Sequence, residues 1–282
     1  EEMALEVHIA HVDHGLREDS PADAEAVQAE AANRNIPFHV KRVNVRLQAE
    51  TTGSGIEAAA RSLRYGVLAS TAQAVGATVV MTGHTADDAV ETILMNIARA
   101  GSLRALSGIP AERRLSDSVR VVRPLLGTRR EEVMAYARER GLVWSEDRSN
   151  SEAVYLRNRI RHELLPALTS VFGPGIGRNI LRFGATMKEL AEIVEPLIDA
   201  NKVLRHTAEG VQISLTDVTD LPRVAIDTLL RRELGLNTVD RDRVHELTAA
   251  EVGSRSTLSG GRQALRERDL IVILATGEAP PL

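Results

Sequence analysis

The chain has 282 residues, enough for two domains, with 43% hydrophobic and 26% charged residues and a net charge of −4. These values are typical of globular proteins, and no apolar run approaches the roughly 18 residues of a membrane span. We expect no secretory leader. The absence of cysteine excludes disulfides, thiolate-bound zinc and iron–sulfur clusters, so we expect a cytoplasmic protein with no membrane partner.

The first part of the chain alternates strands with helices. This alternation, at the observed spacing, indicates right-handed βαβ units and predicts an α/β fold with a doubly wound parallel sheet. The predicted elements in chain order are a strand at 5–12 with the exit turn Asp13-His14-Gly15, a helix at 20–35, a strand at 37–45, a loop at 51–55, a helix at 56–75, a strand at 77–82 and a helix at 86–98.

The pattern changes after Gly101. We expect residues 1–165 to form the parallel-sheet domain, 166–205 a helical linker and 206–282 a small C-terminal α+β domain. The predicted elements are a strand at 119–126, a helix at 128–140, a basic helix at 151–165, an amphipathic helix from 175 towards 205, a strand at 211–215, helices at 222–234 and 240–250, and a hairpin across 259–262 leading to a strand at 270–274.

The turn between the predicted strand at 77–82 and the next helix contains the most informative residues. Gly83 permits a sharp turn, and Thr85 with Asp88 has the form of a helix capping box. In an open α/β sheet, ligands bind beyond the carboxyl ends of the strands. The turn is therefore a candidate binding site.

Four polar side chains follow that turn at relative spacings 0, 3, 4 and 7, namely His84, Asp87, Asp88 and Glu91. They can converge at the start of the helix. Three carboxylates repel one another, so we expect a positive group among them, either a divalent metal, a substrate ammonium or both. The alternative is an acidic helix N-terminus that complements the helix dipole.

Arginines outnumber acidic residues between Arg104 and Arg182, and the segment 157–162 is the densest part. Arginine forms bidentate contacts with phosphate, so this region suits a phosphate-rich partner. A solvated helix face with internal ion pairs is the alternative.

Six segments, taken in order, resemble the tRNA(Ile)-lysidine synthetase family of PP-loop ATP pyrophosphatases. The resemblance covers about residues 5–185, and the later hairpin resembles that family's first C-terminal domain. The segments are His11-Val-Asp-His-Gly-Leu-Arg17, Gly55-Ile-Glu-Ala-Ala-Ala-Arg61 with Arg64-Tyr65, Gly83-His-Thr-Ala-Asp-Asp-Ala-Val-Glu-Thr92, Arg123-Pro-Leu-Leu126, Trp144-Ser-Glu-Asp-Arg-Ser-Asn150 and Arg157-Asn-Arg-Ile-Arg161.

The resemblance implies a two-step ligase reaction that forms a C–N bond. ATP, with Mg²⁺, adenylates the wobble cytidine of an isoleucine tRNA that has a CAU anticodon, and pyrophosphate is released. The ε-amine of free L-lysine then attacks the activated ring carbon, AMP leaves, and lysidine is formed. The resemblance also implies that residues 206–282 bind tRNA, and we expect the protein to be a monomer or a homodimer.

Roles for individual residues follow from the motifs. Main-chain groups at a strand's carboxyl end can hold a nucleotide, hard carboxylate oxygens suit Mg²⁺, and a histidine can accept a proton during amine attack. We expect ATP to be bound by His11, Asp13, His14, Gly15 and Gly83, catalysis to use Arg61, His84 and Asp88, the metal to be held by Asp87 and Asp88, lysine by Asp88 and Glu91, and tRNA by Arg157, Asn158, Arg159 and Arg161.

One family motif is missing from the 282 residues. The Ser-Gly-Gly-x-Asp-Ser phosphate loop is expected a few tens of residues before Leu5, so we expect an N-terminal segment that carries it. We also expect these 282 residues alone not to adenylate RNA. The Ser259-Gly260-Gly261 triplet lacks the aspartate and second serine, and we interpret it as a hairpin turn.

Three alternatives remain open. The first is another PP-loop tRNA-modifying enzyme, although thiolases of that superfamily commonly use cysteines and this chain has none. The second is a metal-dependent phosphohydrolase that uses His84, Asp87 and Asp88. The third is a non-catalytic tRNA-binding protein, if the phosphate loop is truly absent.

Overall fold

The computed structural model divides the chain into two compact units. The first comprises residues 1–88 and 110–152, and the second residues 89–109 and 153–282. The division of the sequence at residues 165 and 205 into three functional parts stays a prediction. Within these units, the structure describes residues 5–16, 20–99, 102–142, 144, 156–200, 203–208, 210–219 and 221–274.

The first unit begins with a parallel βαβ element. Strand β1 (Ile9–Asp13) pairs in parallel with β2 (Phe38–Arg42), and helix α1 (Ser20–Asn33) connects them. A parallel pair requires such a crossover, because the chain must return to the end of the sheet at which the first strand began. The predicted parallel arrangement of this region is confirmed.

A helix replaces the end of the second predicted strand. The strand expected to reach residue 45 ends at Arg42, and α2 (Val45–Thr52) begins three residues later. The side chain of Asn44 accepts a hydrogen bond from the Leu47 amide at 3.0 Å, which caps the helix. Buried Val45 packs with neighbouring alanines under α3 (Ile56–Ala74).

A second sheet of the first unit contains β3 (Val79–Met81), β4 (Glu112–Arg114) and β5 (Arg120–Val122). The central strand β5 pairs in parallel with β3 and antiparallel with β4. The antiparallel edge strand was not predicted, because its three exposed polar residues carry no alternating pattern. The strand predicted at 119–126 is shorter, since Pro124 starts a 3₁₀ turn, Pro124–Gly127.

Helix α4 (Ala86–Ala98) has the predicted bounds, and it continues from residues of the first unit into residues of the second. Helix α6 (Arg130–Glu139) belongs to the first unit and lies within the predicted range 128–140. The short helix α5 (Leu103–Leu106), in the second unit, is capped by the Ser102 hydroxyl.

The helices of the second unit continue with α7 (Leu156–Arg159), a π-helical turn (Ile160–Leu164), α8 (Leu165–Phe172) and α9 (Ile176–Ala200). Residues 151–155 of the predicted basic helix lie outside the described residues. Gly184 of α9 permits a close approach to α4, because a Cβ atom there would lie 2.7 Å from Cδ1 of Ile93. Helix α9 ends before residue 205, where a strand follows.

A five-stranded antiparallel sheet completes the second unit, with strand order β6-β7-β10-β9-β8. Its members are β6 (Leu204–Thr207), β7 (Gly210–Ser214), β8 (Arg255–Thr257), β9 (Gln263–Arg266) and β10 (Leu270–Leu274), together with helices α10 (Leu215–Thr219), α11 (Arg223–Leu234) and α12 (Thr238–Thr248).

Side chains of β10, α11 and α12 pack together in the main core of this unit, which includes Leu230, Leu236 and Ile271. The Ser259–Gly261 turn joins β8 to β9, with left-handed φ angles at both glycines, so its interpretation as a turn is confirmed. The predicted α/β fold class is confirmed by the parallel pairs of the first unit. No helix of the described segments is long and apolar enough to cross a membrane.

Candidate active site

The turn after β1 is organised by Asp13. Its buried carboxylate accepts a hydrogen bond from the Gly15 amide at 2.8 Å, and its second oxygen lies 3.6 Å from Nε of Arg42. Gly15 adopts a φ of +61°, a conformation that residues other than glycine and asparagine rarely adopt. The predicted nucleotide-binding turn therefore has a fixed main-chain geometry.

His14 in the same turn contacts α3. The Arg64 guanidinium lies 3.0 Å from Nε2 of His14. Burial of the imidazole, reinforced by the positive charge of Arg64, lowers the pKa of His14, although Asp13 partly opposes the shift. His14 is therefore neutral at physiological pH, the form that accepts hydrogen bonds.

The start of α4 has the predicted capping arrangement. Asp88 accepts hydrogen bonds from both the amide and the hydroxyl of Thr85, at 2.8 and 2.9 Å. The other oxygen of Asp88 lies 3.5 Å from the Arg130 guanidinium. The sequence predicted a metal or a substrate ammonium beside this carboxylate; within the first unit, an arginine of α6 also lies there.

The Asp87 side chain contacts the main chain of the same arginine, Arg130. Its Oδ2 accepts the Arg130 amide at 2.7 Å, at the first residue of α6. Its Oδ1 makes no hydrogen bond to any described residue, so this oxygen could ligate a cation. The same side chain can thus tether α6 and bind a metal.

His84 precedes the helix and is held by the strand before it. Nδ1 of His84 and the hydroxyl of Thr82 are 2.8 Å apart. The hydrogen bond fixes the orientation of the imidazole ring, which is half-buried. A general base needs such a fixed orientation relative to its substrate.

Arg61, on α3, belongs to a group of arginines around the Tyr65 ring. The guanidinium carbons of Arg61 and Arg113 lie 5.1 and 4.6 Å from the ring centroid, which is within cation–π range. The Tyr65 hydroxyl accepts a hydrogen bond from Arg123 at 3.0 Å. Arg61 therefore lies in a strongly positive environment.

Within the second unit, Glu91 is buried to 1% exposure and binds two arginines. Arg161 donates from Nε to Oε1 at 2.6 Å and from a second nitrogen to Oε2 at 3.0 Å, while Nε of Arg157 donates to Oε2 at 2.9 Å. Arg157 also reaches the Thr92 hydroxyl at 3.3 Å. Two guanidinium groups thus lie where the sequence predicted a metal or a substrate ammonium beside Glu91.

The other predicted RNA-contacting residues have different surroundings. Arg159 forms an exposed ion pair with Glu163 at 3.4 Å, and the Asn158 side chain is buried. Arg157 and Arg161 were predicted to share a helix face, which agrees with their common partner. Their predicted contacts with tRNA phosphates require Glu91 to share or release them.

The structure therefore brings the sequence-predicted residues together in several groups. The first unit contains the Asp13 turn, the capped start of α4 with His84, and the arginines around Tyr65. The second unit contains Glu91 with its two arginines. For the individual ligand and catalytic roles, the assignments from the sequence stay predictions.

Sequence reasoning did not assign roles to Tyr65, Arg113, Arg123 or Arg130. Tyr65 follows Arg61 at the i, i+4 spacing that places two residues on one helix face, so this pair was detectable. Arg113 and Arg130 lie far from their partners in sequence, and only the sheet and the helix packing reveal those contacts. Arg123 belongs to a motif that the resemblance includes, without an individual role.

Comparisons with known proteins identify the family of the chain. Residues 1–168 match the PP-loop domain family. The chain is 34% identical to a tRNA(Ile)-lysidine synthase of Thermus thermophilus over 288 residues, covering all of this chain and 54% of the relative. It is 37% identical to one from Gloeobacter violaceus, over 70% of this chain and 59% of the relative.

A third tRNA(Ile)-lysidine synthase, from Salinispora arenicola, is 34% identical and is matched over 93% of this chain and 80% of the relative. A U34-tRNA thiolase structure from Methanococcus maripaludis has a similar fold, with a TM-score of 0.51 and 15% identity over 64% of this chain and 60% of that chain. The chain spans about half the length of the first relatives it matches. With its PP-loop match and its coverage of the Salinispora relative, the chain belongs to the tRNA(Ile)-lysidine synthase family of PP-loop proteins.

Proposed function

We propose that this protein ligates free L-lysine to the wobble cytidine of an isoleucine tRNA with a CAU anticodon, through an adenylated tRNA intermediate that is formed from ATP. The observation that carries the proposal is the match to a tRNA(Ile)-lysidine synthase over 80% of that relative. The arrangement of carboxylates and His84 around the start of α4 supports it, because the reaction needs carboxylates that hold the lysine ammonium and a group that accepts its proton.

The start of α4 fits a hard cation. Asp87 and Asp88 present carboxylate oxygens, the ligands that Mg²⁺ prefers, and Oδ1 of Asp87 makes no hydrogen bond to any described residue. Bound there, Mg²⁺ would offset the negative charge of nucleotide phosphates. Asp88 is already held by Thr85 and Arg130, so it contributes a fixed charge as well as a potential ligand.

The proposed nucleotide contacts lie at the turn after β1. Asp13 fixes the main chain at Gly15, so that neighbouring main-chain groups keep constant positions for a nucleotide base. Neutral His14 and nearby His11 are the predicted side-chain contacts. Gly83 follows the strand predicted at 77–82. It leaves space for a ligand, because no heavy atom lies within 4 Å of a Cβ built there.

His84 and Arg61 are the proposed catalytic side chains of the first unit. His84, oriented by Thr82, would accept a proton from the attacking ε-amine of lysine. Arg61 would stabilise the negative charge that develops on a phosphate or on the cytosine oxygen. Asp88 would assist by holding the ammonium form of the substrate before the proton is lost.

Glu91 is the second proposed lysine ligand. Its carboxylate already accepts hydrogen bonds from Arg157 and Arg161. Lysine would have to displace one guanidinium or share an oxygen with it. The released arginine would then be available to an RNA phosphate, so this proposal couples lysine binding to RNA binding.

The fold alone also allows another PP-loop tRNA-modifying activity, such as that of the thiolase. The thiolase structure holds a [4Fe-4S] cluster, whereas the 282 residues here supply no cysteine ligand. Lysine transfer accounts better for the family match and for the composition.

A single-turnover assay of the full-length protein tests the proposal. Purified protein, ATP, Mg²⁺ and an isoleucine tRNA transcript with a CAU anticodon are mixed with and without labelled lysine. We expect pyrophosphate release without lysine, and incorporation of the label into the RNA only when lysine and ATP are both present. Nucleoside mass spectrometry would then locate lysidine at the wobble position.

The matched control is the same transcript with a different wobble base, which should receive no lysine. Sulfur incorporation from a sulfide donor in place of lysine would favour the thiolase alternative. Binding of the transcript with neither pyrophosphate release nor modification would favour a non-catalytic tRNA-binding protein.

A further inference from the structure

Tyr65 and three arginines form a compact group in the first unit, here called the Tyr65 cluster (Arg61, Tyr65, Arg113 and Arg123). Arg61 lies on the same helix as Tyr65, and Arg113 reaches the ring from the edge strand β4. Arg123 follows β5 and donates to the phenol oxygen. Elements far apart in sequence thus bring three positive charges to one ring.

Arg123 is the buried member, with 3% of its surface exposed. Its two terminal nitrogens donate to the Pro110 carbonyl at 2.6 Å and to the Tyr65 hydroxyl at 3.0 Å, both of which are uncharged acceptors. Its Nε is buried without a hydrogen-bond partner. A buried guanidinium without a compensating carboxylate is costly, so a nearby anion would stabilise it.

Carboxylates do not neutralise the cluster. In the described part of the chain, no acidic oxygen lies within 4.0 Å of a nitrogen of Arg61, Arg113 or Arg123. Glu112, the neighbour of Arg113 on β4, is paired with Arg120 at 3.1 Å. Because these acids do not compensate the three guanidinium groups, their positive field is available to a ligand.

We propose that the Tyr65 cluster binds a phosphate group, with Arg61 and Arg113 as the exposed contacts and Arg123 as the buried charge that sustains the field. Arginine matches the geometry of phosphate oxygens and remains charged at every physiological pH.

The phosphate could come from the RNA backbone or from a nucleotide. The position of Arg113 on an edge strand favours the RNA backbone, because an extended chain of phosphates can run along an exposed edge. This choice of source rests on the proposed function, whereas phosphate binding itself does not.

Tyr65 offers a direct readout of site occupancy. Burial raises the pKa of Tyr65, but the hydrogen bond from Arg123 and the charges of Arg61, Arg123 and Arg113 outweigh it, so its pKa lies below the usual value of 10.0. A bound phosphate would offset the arginine charges. The phenol pKa would then rise towards its usual value.

The experiment is a spectroscopic titration of the tyrosinate absorbance of the full-length protein. One series contains inorganic phosphate and the other contains chloride at equal ionic strength. The Tyr65→Phe variant identifies the Tyr65 signal, because the 282-residue sequence contains three tyrosines. We expect a higher Tyr65 midpoint in phosphate than in chloride.

Arg113→Gln tests the assignment, and Arg114→Gln is the matched control. Both residues lie on β4, but Arg114 donates to the Asp117 carbonyl and is not part of the cluster. We expect Arg113→Gln to weaken phosphate binding about tenfold, since a charge-assisted contact is lost, and Arg114→Gln to have no effect. Equal Tyr65 midpoints in phosphate and chloride, or an unchanged phosphate affinity in Arg113→Gln, would overturn the proposal.

Two further arms identify the source of the phosphate once that shift is found. If RNA supplies it, Arg113→Gln should lower the slope of log affinity against log salt for a tRNA transcript by about one unit, with ATP affinity unchanged. A selective loss of ATP affinity would support the site with a nucleotide phosphate as its ligand. A wild-type protein that shows the phosphate-dependent shift but forms no lysidine would retain this site and refute the proposed function.

Discussion

Arg161 binds both carboxylate oxygens of Glu91, at 2.6 and 3.0 Å, in the interior of the second unit. The contact joins α4 to the π-helical turn, although the two residues are 70 positions apart in the sequence. Glu91 has only 1% of its surface exposed, so water cannot replace its partners. The removal of Glu91 therefore takes a buried negative charge away from two guanidinium groups at once.

The first prediction concerns the stability that Glu91 provides. Glu91→Gln removes the negative charge but keeps the side-chain size, so two guanidinium groups would face a neutral amide. We expect the free energy of unfolding to fall by about 3 kcal/mol or more, the range for a broken buried pair. Urea unfolding followed by circular dichroism measures it.

Glu163→Gln is the matched control for that change. Glu163 pairs with Arg159 on the protein surface, where such an ion pair contributes about 1 kcal/mol or less. A comparable loss of stability in both variants would show that the burial of Glu91 is not what makes its charge important.

The Glu91→Gln variant also separates a structural role of Glu91 from a role in lysine binding. If Glu91 also holds lysine, Glu91→Gln should raise KM for lysine at a temperature where the variant is folded, while pyrophosphate release stays close to that of the wild type. Equal losses in both half-reactions would contradict the assignment of Glu91 to lysine.

The second prediction concerns Asp87 as a metal ligand. Asp87→Asn keeps an oxygen that can accept the Arg130 amide, so we expect little change in melting temperature. It removes the negative charge that favours a hard cation, and the Mg²⁺ concentration required for half-maximal pyrophosphate release should rise about tenfold. The readout is a Mg²⁺ titration of that half-reaction.

Asp117→Asn serves as the comparison, because Asp117 lies in the exposed β4–β5 loop. A Mg²⁺ requirement unchanged in Asp87→Asn would remove this residue from the metal site. A large drop in melting temperature would instead indicate that Asp87 serves mainly to tether α6.

The third prediction concerns the arginines of the segment 157–161. Arg159 contacts only an exposed glutamate among the described residues, so a phosphate can compete for it easily. We expect Arg159→Gln to lower the slope of log affinity for tRNA against log salt by about one unit, with an unchanged melting temperature. Filter binding at several salt concentrations gives the slope.

Arg161→Gln is the contrasting variant, because Arg161 is the main partner of Glu91. Its melting temperature should fall clearly. If Arg161→Gln also lowers the salt slope, at a temperature where it is folded, then Arg161 contacts RNA as the sequence predicted. Wild-type salt dependence in both variants would place the RNA contacts on other residues.

The sequence predicted the order of the main elements well where hydrophobic periodicity is strong. Helix α4 has the predicted bounds because its apolar positions repeat at helical spacing and Thr85 with Asp88 marks its start. Strand β10 has the predicted bounds because its run of β-branched residues lies in the middle of a sheet. In both elements, local pattern and tertiary packing favour the same structure.

The parts that the sequence missed depend on long-range contacts. The three residues of β4 are all charged and become a strand only because β5 offers a free edge. Helix α2 begins where the strand pattern continued, since the side chain of Asn44 caps it and Val45 enters a small core. A one-dimensional pattern contains neither interaction.

The candidate site shows the same limit. The convergence of acidic residues at the start of α4 implied a positive group, but not that arginines such as Arg130 would supply it. For Glu91, the sequence suggested a ligand, whereas burial between Arg157 and Arg161 also gives it a structural role. Spacing predicted which residues belong to the site, and only the packing shows their partners.

The last prediction concerns pH and the small C-terminal sheet with its helices. His245 on α12 lies 2.8 Å from the Asp227 carboxylate on α11, and Arg241 and Arg223 lie within 4.0 Å of the same carboxylate. Burial raises the pKa of Asp227, but the hydrogen bond and charge of His245, with Arg241 and Arg223, outweigh it and leave its pKa below 3.8.

A carboxylate with a depressed pKa in the folded state stabilises that state at every pH above its unfolded value, and this contribution is lost as the pH falls through the folded value. The contribution of Asp227 should therefore be complete above about pH 4 and decline below it. Asp227→Asn should unfold more easily than the wild type at pH 7, and the difference should shrink in acid. Urea unfolding between pH 2 and pH 7, with the exposed Asp217→Asn as the control, measures this dependence. A difference between wild type and Asp227→Asn that is constant over the whole range would show that the ionisation of Asp227 does not contribute to folding.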